Sequence, residues 1–177
     1  MNDDSTDTPR GVMAALALCM LLPALGTSIA QVALPTLAGV FGATFEQVRW
    51  VVLAYLLSVT ALIAVAGRLG DRLGRRRLLL AGLGVFTAAS ALAAAAPTPG
   101  LLVAARALQG LGAAAMMALT LAFVAGAVPR AKAGRAMGLL GSVSAVGTAL
   151  GPVAGGLLVA RAGWTAVFFL SVPLGGL

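Results

Sequence analysis

The feature that most limits what this chain can fold into is a succession of long apolar runs. Five lie at residues 11–35, 50–67, 78–96, 101–126 and 136–160, and a sixth opens near Thr165 and reaches Leu177 with no closing loop. A helix needs about 20 mostly apolar residues to cross about 30 Å of hydrocarbon. No water is present there to pair a free N–H or C=O, so each run is expected to be a helix. Only 10% of the 177 residues are charged and the mean hydropathy is +1.04, whereas a soluble domain carries about 25% charged residues. So few charges cannot coat a water-exposed surface, so the outer surface must face lipid. The expected fold is an all-α integral membrane bundle. The sixth run reads as the opening of a span, so the chain is expected to be a fragment of a longer protein.

Charge then orients the runs. The net charge of +7 and pI near 11.6 do not describe a nucleic-acid docking face, because the basic residues sit in short loops between apolar runs. The loop 68–77 holds Arg68, Arg72, Arg75, Arg76 and Arg77, and the loop 127–135 holds Arg130, Lys132 and Arg135. The opposite side shows Arg49 and Arg161, a bias of eight to two. That asymmetry places the basic loops and the tail 1–10 in the cytoplasm, with a bacterial plasma (inner) membrane as the expected location. Trp50 and Trp164 fall at the outer ends of spans, where aromatic belts sit. The tail carries Asp3, Asp4 and Asp7 against Arg10, so it is not the basic start of a signal peptide, and the run after it is read as the first span.

The inventory of reactive side chains is short. There is no His, and Cys19 is the lone cysteine. Neither an internal disulfide nor metal-ligand spacing is present, and nucleophilic or zinc chemistry has little to work with. An enzyme and a metal site are not expected.

Polar and small residues inside the spans carry more information. In the fourth span Arg106, Gln109, Gly110, Ala113, Met117 and Thr120 recur every three or four residues and share one helix face. A charged residue within a span normally faces a bundle interior or an aqueous cavity. Arg106 also lies about 9 Å from the outer end at 1.5 Å per residue, close enough to snorkel to headgroups. Its company with Gln109 and Gly110 favours the interior. Gly110, Gly112 and Ala115 mimic a dinucleotide fingerprint, but no strand or aqueous helix start precedes them, and close helix packing is the better reading. In the fifth span Gly141, Ser144, Thr148, Gly151 and Gly155 share a face with Gly147 beside it, and Pro152 favours a kink. Two readings stay open there, tight packing and a flexible helix in a moving interface. In the first span Thr27 and Gln31 lie one turn apart between Pro23 and Pro35, and Gln31 serves either as interhelical glue or as a ligand contact.

Four motifs together resemble the major facilitator superfamily. GRLGDRLGRRR at 67–77 resembles its loop motif G-x-L-a-D-r-x-G-r-k between spans two and three. RALQGLG at 106–112 resembles the fourth-span motif, and GTALGPVAGG at 147–156 the fifth-span antiporter motif. LGTSIAQVALP at 25–35 resembles the first-span motif of the fourteen-helix drug:proton antiporters. The similarity runs from about residue 11 to the end.

The resemblance implies the N-terminal six-helix bundle of that fold, two inverted three-helix repeats with the sixth helix truncated. A second, C-terminal bundle is the implied partner, with the substrate site between the two. It implies proton-driven export of small, often lipophilic or cationic compounds, with the proton gradient as energy source and no cofactor. Arg106 is then tied to proton coupling, with Gln109, Thr27 and Gln31 beside the pathway. Gly67, Asp71, Arg72, Gly74 and Arg75 form the gate that latches the bundles. Gly147, Gly151, Pro152, Gly155 and Gly156 let the fifth helix bend and block leak. Two positions depart from the pattern: the first-span Asp is Gly26 here and the Asn is Gln31. The acids are Asp3, Asp4, Asp7, Glu46 and Asp71, none within a span. The proton-carrying acid is therefore expected in the second bundle. Transport of one specific metabolite and a non-transporting membrane protein are the alternatives.

Overall fold

The computed structural model describes residues 10–169, and among these every element is an α-helix. They are α1 (Arg10–Phe41), α2 (Phe45–Leu73), α3 (Arg75–Ala94), α4 (Pro99–Ala127), α5 (Arg130–Ala162) and α6 (Thr165–Phe169). The first five are long and apolar enough to cross a membrane. The tail 1–9 and the stretch 170–177 of the sixth run lie outside the described residues.

The helices outrun the apolar runs that mark them. Once a helix leaves hydrocarbon its polar residues continue the same hydrogen-bond ladder, so hydropathy finds the membrane crossing and misses the ends. The 32-residue α1 is about 48 Å long at 1.5 Å per residue. The expected loop 36–49 shrinks to residues 42–44 because Thr44 caps α2: its side chain accepts from the Gln47 N–H while the Gln47 side chain accepts from the Thr44 N–H. Arg49 and Trp50 are thus helical. The expected loop 68–77 is no loop. Arg68, Asp71 and Arg72 close α2, Arg75, Arg76 and Arg77 open α3, and Gly74 alone joins them at φ +93°, a backbone conformation that suits glycine. Likewise Arg130, Lys132 and Arg135 belong to α5, and Pro99-Gly100 open α4 behind the Thr98 cap.

Packing is reciprocal. α4, the first helix of the second repeat, lies against α2, the second helix of the first, and α1 lies against α5 in the same way. Exchange of the two repeats maps one pair onto the other, as expected for duplicated three-helix units. Backbones approach closely at small residues. A Cβ on Gly112 would fall 2.6 Å from both the Gly82 carbonyl oxygen and the Phe86 nitrogen of α3. One on Gly110 would fall 2.6 Å from the Tyr55 carbonyl oxygen of α2. The glycines that mimic a nucleotide fingerprint are therefore packing surfaces. Outward, Leu57, Leu80, Leu139, Val153 and Leu157 are each more than half exposed, the apolar exterior that a lipid-facing bundle requires.

Candidate functional site

Arg106 does not snorkel. It is fully buried where α4 meets α2 and α3. Its Nε donates to the Val51 carbonyl at 3.2 Å, and its Nη1 donates to the Gln109 side-chain oxygen. Gln109 is held in turn, because its amide nitrogen donates to Ser90 Oγ at 2.6 Å and Ser90 donates to the Phe86 carbonyl at 2.7 Å. The guanidinium also lies 4.3 Å from the centre of the Tyr55 ring and 5.8 Å from that of Phe168, both within cation–π reach. Among the described residues no carboxylate pairs with it and Nη2 has no partner. A buried cation held by neutral dipoles and π-faces is costly, and an element that costly in a membrane is a functional-site candidate.

Tyr55 belongs both to this cluster and to a cavity. Its hydroxyl donates to the Pro23 carbonyl of α1 at 3.2 Å. A cavity of about 250 Å³ opens beside it, with Thr27, Ser28 and Gln31 of α1 and Ser144 and Thr148 of α5 on its walls. The four residues expected along the pathway thus divide. Thr27 and Gln31 line the cavity, whereas Arg106 and Gln109 lie behind it with Tyr55 between. Of the open readings for Gln31, its exposed position on the cavity wall favours a ligand contact over interhelical glue. Tyr55, Ser28 and Ser90 went unread in the sequence. Each is a polar residue inside an apolar span, and the usable signal is that such a side chain needs a partner in lipid.

The fifth-span glycines also divide. Cβ atoms on Gly147, Gly151 and Gly155 would all meet α1, at Leu21, Ser28 and Ile29 respectively. These three are contact residues, as the tight-packing reading has it. Gly141 and Gly156 meet nothing, so they are outside that contact, and Pro152 is exposed. Proline has no N–H and leaves the carbonyl four residues earlier without its helix donor. That carbonyl is Thr148's, and Ser28 Oγ donates to it at 2.7 Å. α5 continues through Pro152 with its freed carbonyl satisfied by the neighbouring helix.

At the α2–α3 junction Arg75 holds the corner. It donates to Asp71 from Nη2 at 2.8 Å and Nε at 3.1 Å, and its Nη1 donates to the Ala122 carbonyl of α4 at 2.8 Å. Gly126 leaves room for that guanidinium, since a Cβ there would fall 2.9 Å from Nη1. Gly67 meets no neighbour and Arg72 is exposed. Of Gly67, Asp71, Arg72, Gly74 and Arg75, the structure thus brings Asp71 and Arg75 into contact across the Gly74 junction, with Gly67 and Arg72 on α2 beside them. Among the described residues no group of three or more His, Cys, Asp or Glu could hold a metal ion.

The sequence profile of the Major Facilitator Superfamily matches residues 16–177. A multidrug efflux pump of Mycolicibacterium smegmatis is 44% identical over 163 residues, which are 92% of this chain and 32% of that protein. A riboflavin transporter of Clostridioides difficile is 35% identical over 93% of this chain and 36% of its own length. A methylenomycin A resistance protein of Streptomyces coelicolor is 36% identical over 97% and 36% respectively. The chain thus spans about a third of the length of these curated relatives. Among solved structures, a bacterial homologue of the human lysosomal transporter Spinster, inward-facing and unoccupied, superposes with a TM-score of 0.73 at 15% identity, over 95% of this chain and 40% of that one.

Proposed function

This chain belongs to the major facilitator superfamily, and from that premise we propose that it is the N-terminal bundle of a proton-coupled exporter of small drug-like or lipophilic compounds. A C-terminal bundle completes the site, and the two halves rock to give alternating access. The protein sits in the inner membrane with its N-terminus and its arginine-rich end in the cytoplasm. The carrying observation is the half-site itself. The cavity of about 250 Å³ is smaller than the roughly 300–1,000 Å³ of ordinary ligand pockets. Its polar groups come from α1, α2 and α5, helices of both repeats, and a second bundle would supply the facing wall.

Tyr55 connects the cavity to the buried cation. Its ring lies under the Arg106 guanidinium and its hydroxyl holds the Pro23 carbonyl of α1, which lines the cavity. A proton gained or lost near Arg106, or a substrate seated against α1, would shift the same side chain. The acids of the described helices, Glu46 and Asp71, lie only at the two ends of α2 and none at mid-span, so the titrating carboxylate belongs to the second bundle. Asp71 and Arg75 act at the gate, where an exposed ion pair between helix ends can exchange partners as the bundles move. The glycines of α5 keep that helix tight on α1, and Pro152 faces outward beside them.

The efflux pump and the resistance protein among the relatives support export of foreign compounds. The riboflavin transporter among them supports the second reading, transport of one specific metabolite. Inverted vesicles carrying the full-length protein separate the two. Accumulation of several unrelated cationic dyes, abolished by a protonophore and by Arg106→Ala, is the expected result. Accumulation of riboflavin with no dye transport would replace drug export by the metabolite reading, and accumulation that survives the protonophore would remove proton coupling.

A further inference from the structure

Phe168 is buried among apolar neighbours in the first turn of α6, and burial alone would make it an ordinary core residue. Its contacts go further. The centre of its ring lies 5.8 Å from the guanidinium carbon of Arg106, inside the roughly 6 Å at which a cation is drawn to the face of a ring. The ring is itself held in place. Trp164 meets it in an edge contact at 6.2 Å and 76°, and Phe41, the last residue of α1, packs on Trp164 at 5.4 Å. Tilted and edge-to-face pairs at such distances are favoured arrangements of aromatic rings. A row of three rings thus leads from the end of α1 to Arg106.

Arg106 gains from that second ring. Its Nε and Nη1 are bonded and its Nη2 is not, and among the described residues no carboxylate pairs with it. A desolvated cation without a counter-charge gains most from a ring quadrupole, because no water screens the attraction. Tyr55 of α2 supplies one π-face at 4.3 Å. Phe168 supplies another from α6, and its side chain holds no polar atom, so its attraction to the cation runs through the ring.

We propose that Phe168 is a positioning residue, which holds the Arg106 guanidinium through its π-face and so ties the start of α6 to the buried cation of α4. Its part in transport rests on the role given to Arg106 above; the contact itself does not. Phe168 is not on the cavity wall, so it acts on a substrate only by way of Arg106 and Tyr55.

Fluorine separates a π-partner from a space-filling residue. Ring fluorines withdraw negative charge from the face, change the shape little and leave the residue apolar. The test places mono-, di- and trifluorophenylalanine at position 168 of the full-length protein and follows unfolding by dodecyl sulfate in mixed micelles. The unfolding equilibrium should shift stepwise toward the unfolded state, by about fivefold in all, the scale of one such contact. In an Arg106→Leu background the same series should produce no stepwise fall. A flat or rising response in the Arg106 protein overturns the proposal, whether or not the Arg106→Leu protein folds, and so does an equal fall in both backgrounds. In inverted vesicles the trifluoro protein should lower the maximal rate of dye accumulation several-fold and leave the half-saturating dye concentration unchanged. An unchanged maximal rate beside a stepwise unfolding response overturns the positioning role. If the unsubstituted protein moves no dye, the transport reading fails, and the unfolding series still decides for or against the contact.

Discussion

Ser28 and Pro152 should be energetically coupled although they lie on different helices. Pro152 cannot donate to the Thr148 carbonyl, and Ser28 Oγ does so at 2.7 Å. Ser28→Ala keeps the Cβ that faces Gly151 and removes only the donor, so packing is preserved. An unpaired buried carbonyl costs about 1–3 kcal/mol. Thr148 lines the cavity, where water can take over part of that bond, and hydrogen bonds between membrane helices average about 0.6 kcal/mol with a maximum near 1.7. Ser28→Ala should therefore cost about 1 kcal/mol. In a Pro152→Ala background the restored N–H serves the carbonyl, and the same change should cost only a few tenths. The coupling energy is then about 1 kcal/mol, read from a double-mutant cycle on the full-length protein unfolded with dodecyl sulfate in mixed micelles. An equal cost of Ser28→Ala in both backgrounds would refute the assignment of Ser28 as partner of the proline-freed carbonyl.

Gly112→Ala should destabilise by about 1–3 kcal/mol, because the added carbon meets the α3 backbone at 2.6 Å and not a side chain that can move; Gly156→Ala, with nothing within 4 Å, should leave the same unfolding midpoint unchanged. Gln109→Leu removes the partner of Arg106 Nη1 and the donor to Ser90, so it should cost about 2 kcal/mol or more and abolish dye accumulation in vesicles. Asp71→Asn should lower stability by less than about 1 kcal/mol, since the side chains of Asp71 and Arg75 are 62% and 39% exposed. A large loss of transport with that small loss of stability would mark Asp71 as part of the gate, and unchanged transport would remove it.

Hydropathy alone determined that this chain builds membrane helices, and roughly where they cross, because the cost of an unpaired backbone or a charge in hydrocarbon is a local property of each segment. Helix ends escaped that logic, since the polar turns beyond the bilayer are stabilised by caps such as Thr44–Gln47, a pattern that is present in the sequence and weaker than the apolar signal. Motif spacing was enough to identify the superfamily and to nominate Arg106, Asp71 and the α5 glycines. Spacing along one helix says which residues share a face and nothing of what that face meets. The partners of Arg106 show this. Gln109 lies one turn away on α4 and was readable, but the Val51 carbonyl and Tyr55 arrive from α2, and Ser90, which holds Gln109, from α3, 19 residues distant in the chain. In the same way Pro152 was legible as a break in the α5 ladder, and only the packing of α1 on α5 supplied Ser28 to close it. Which helix lies against which depends on the summed fit of many small contacts along both repeats, so only the tertiary structure decided that Arg106 is interior and that Tyr55 stands between it and the cavity.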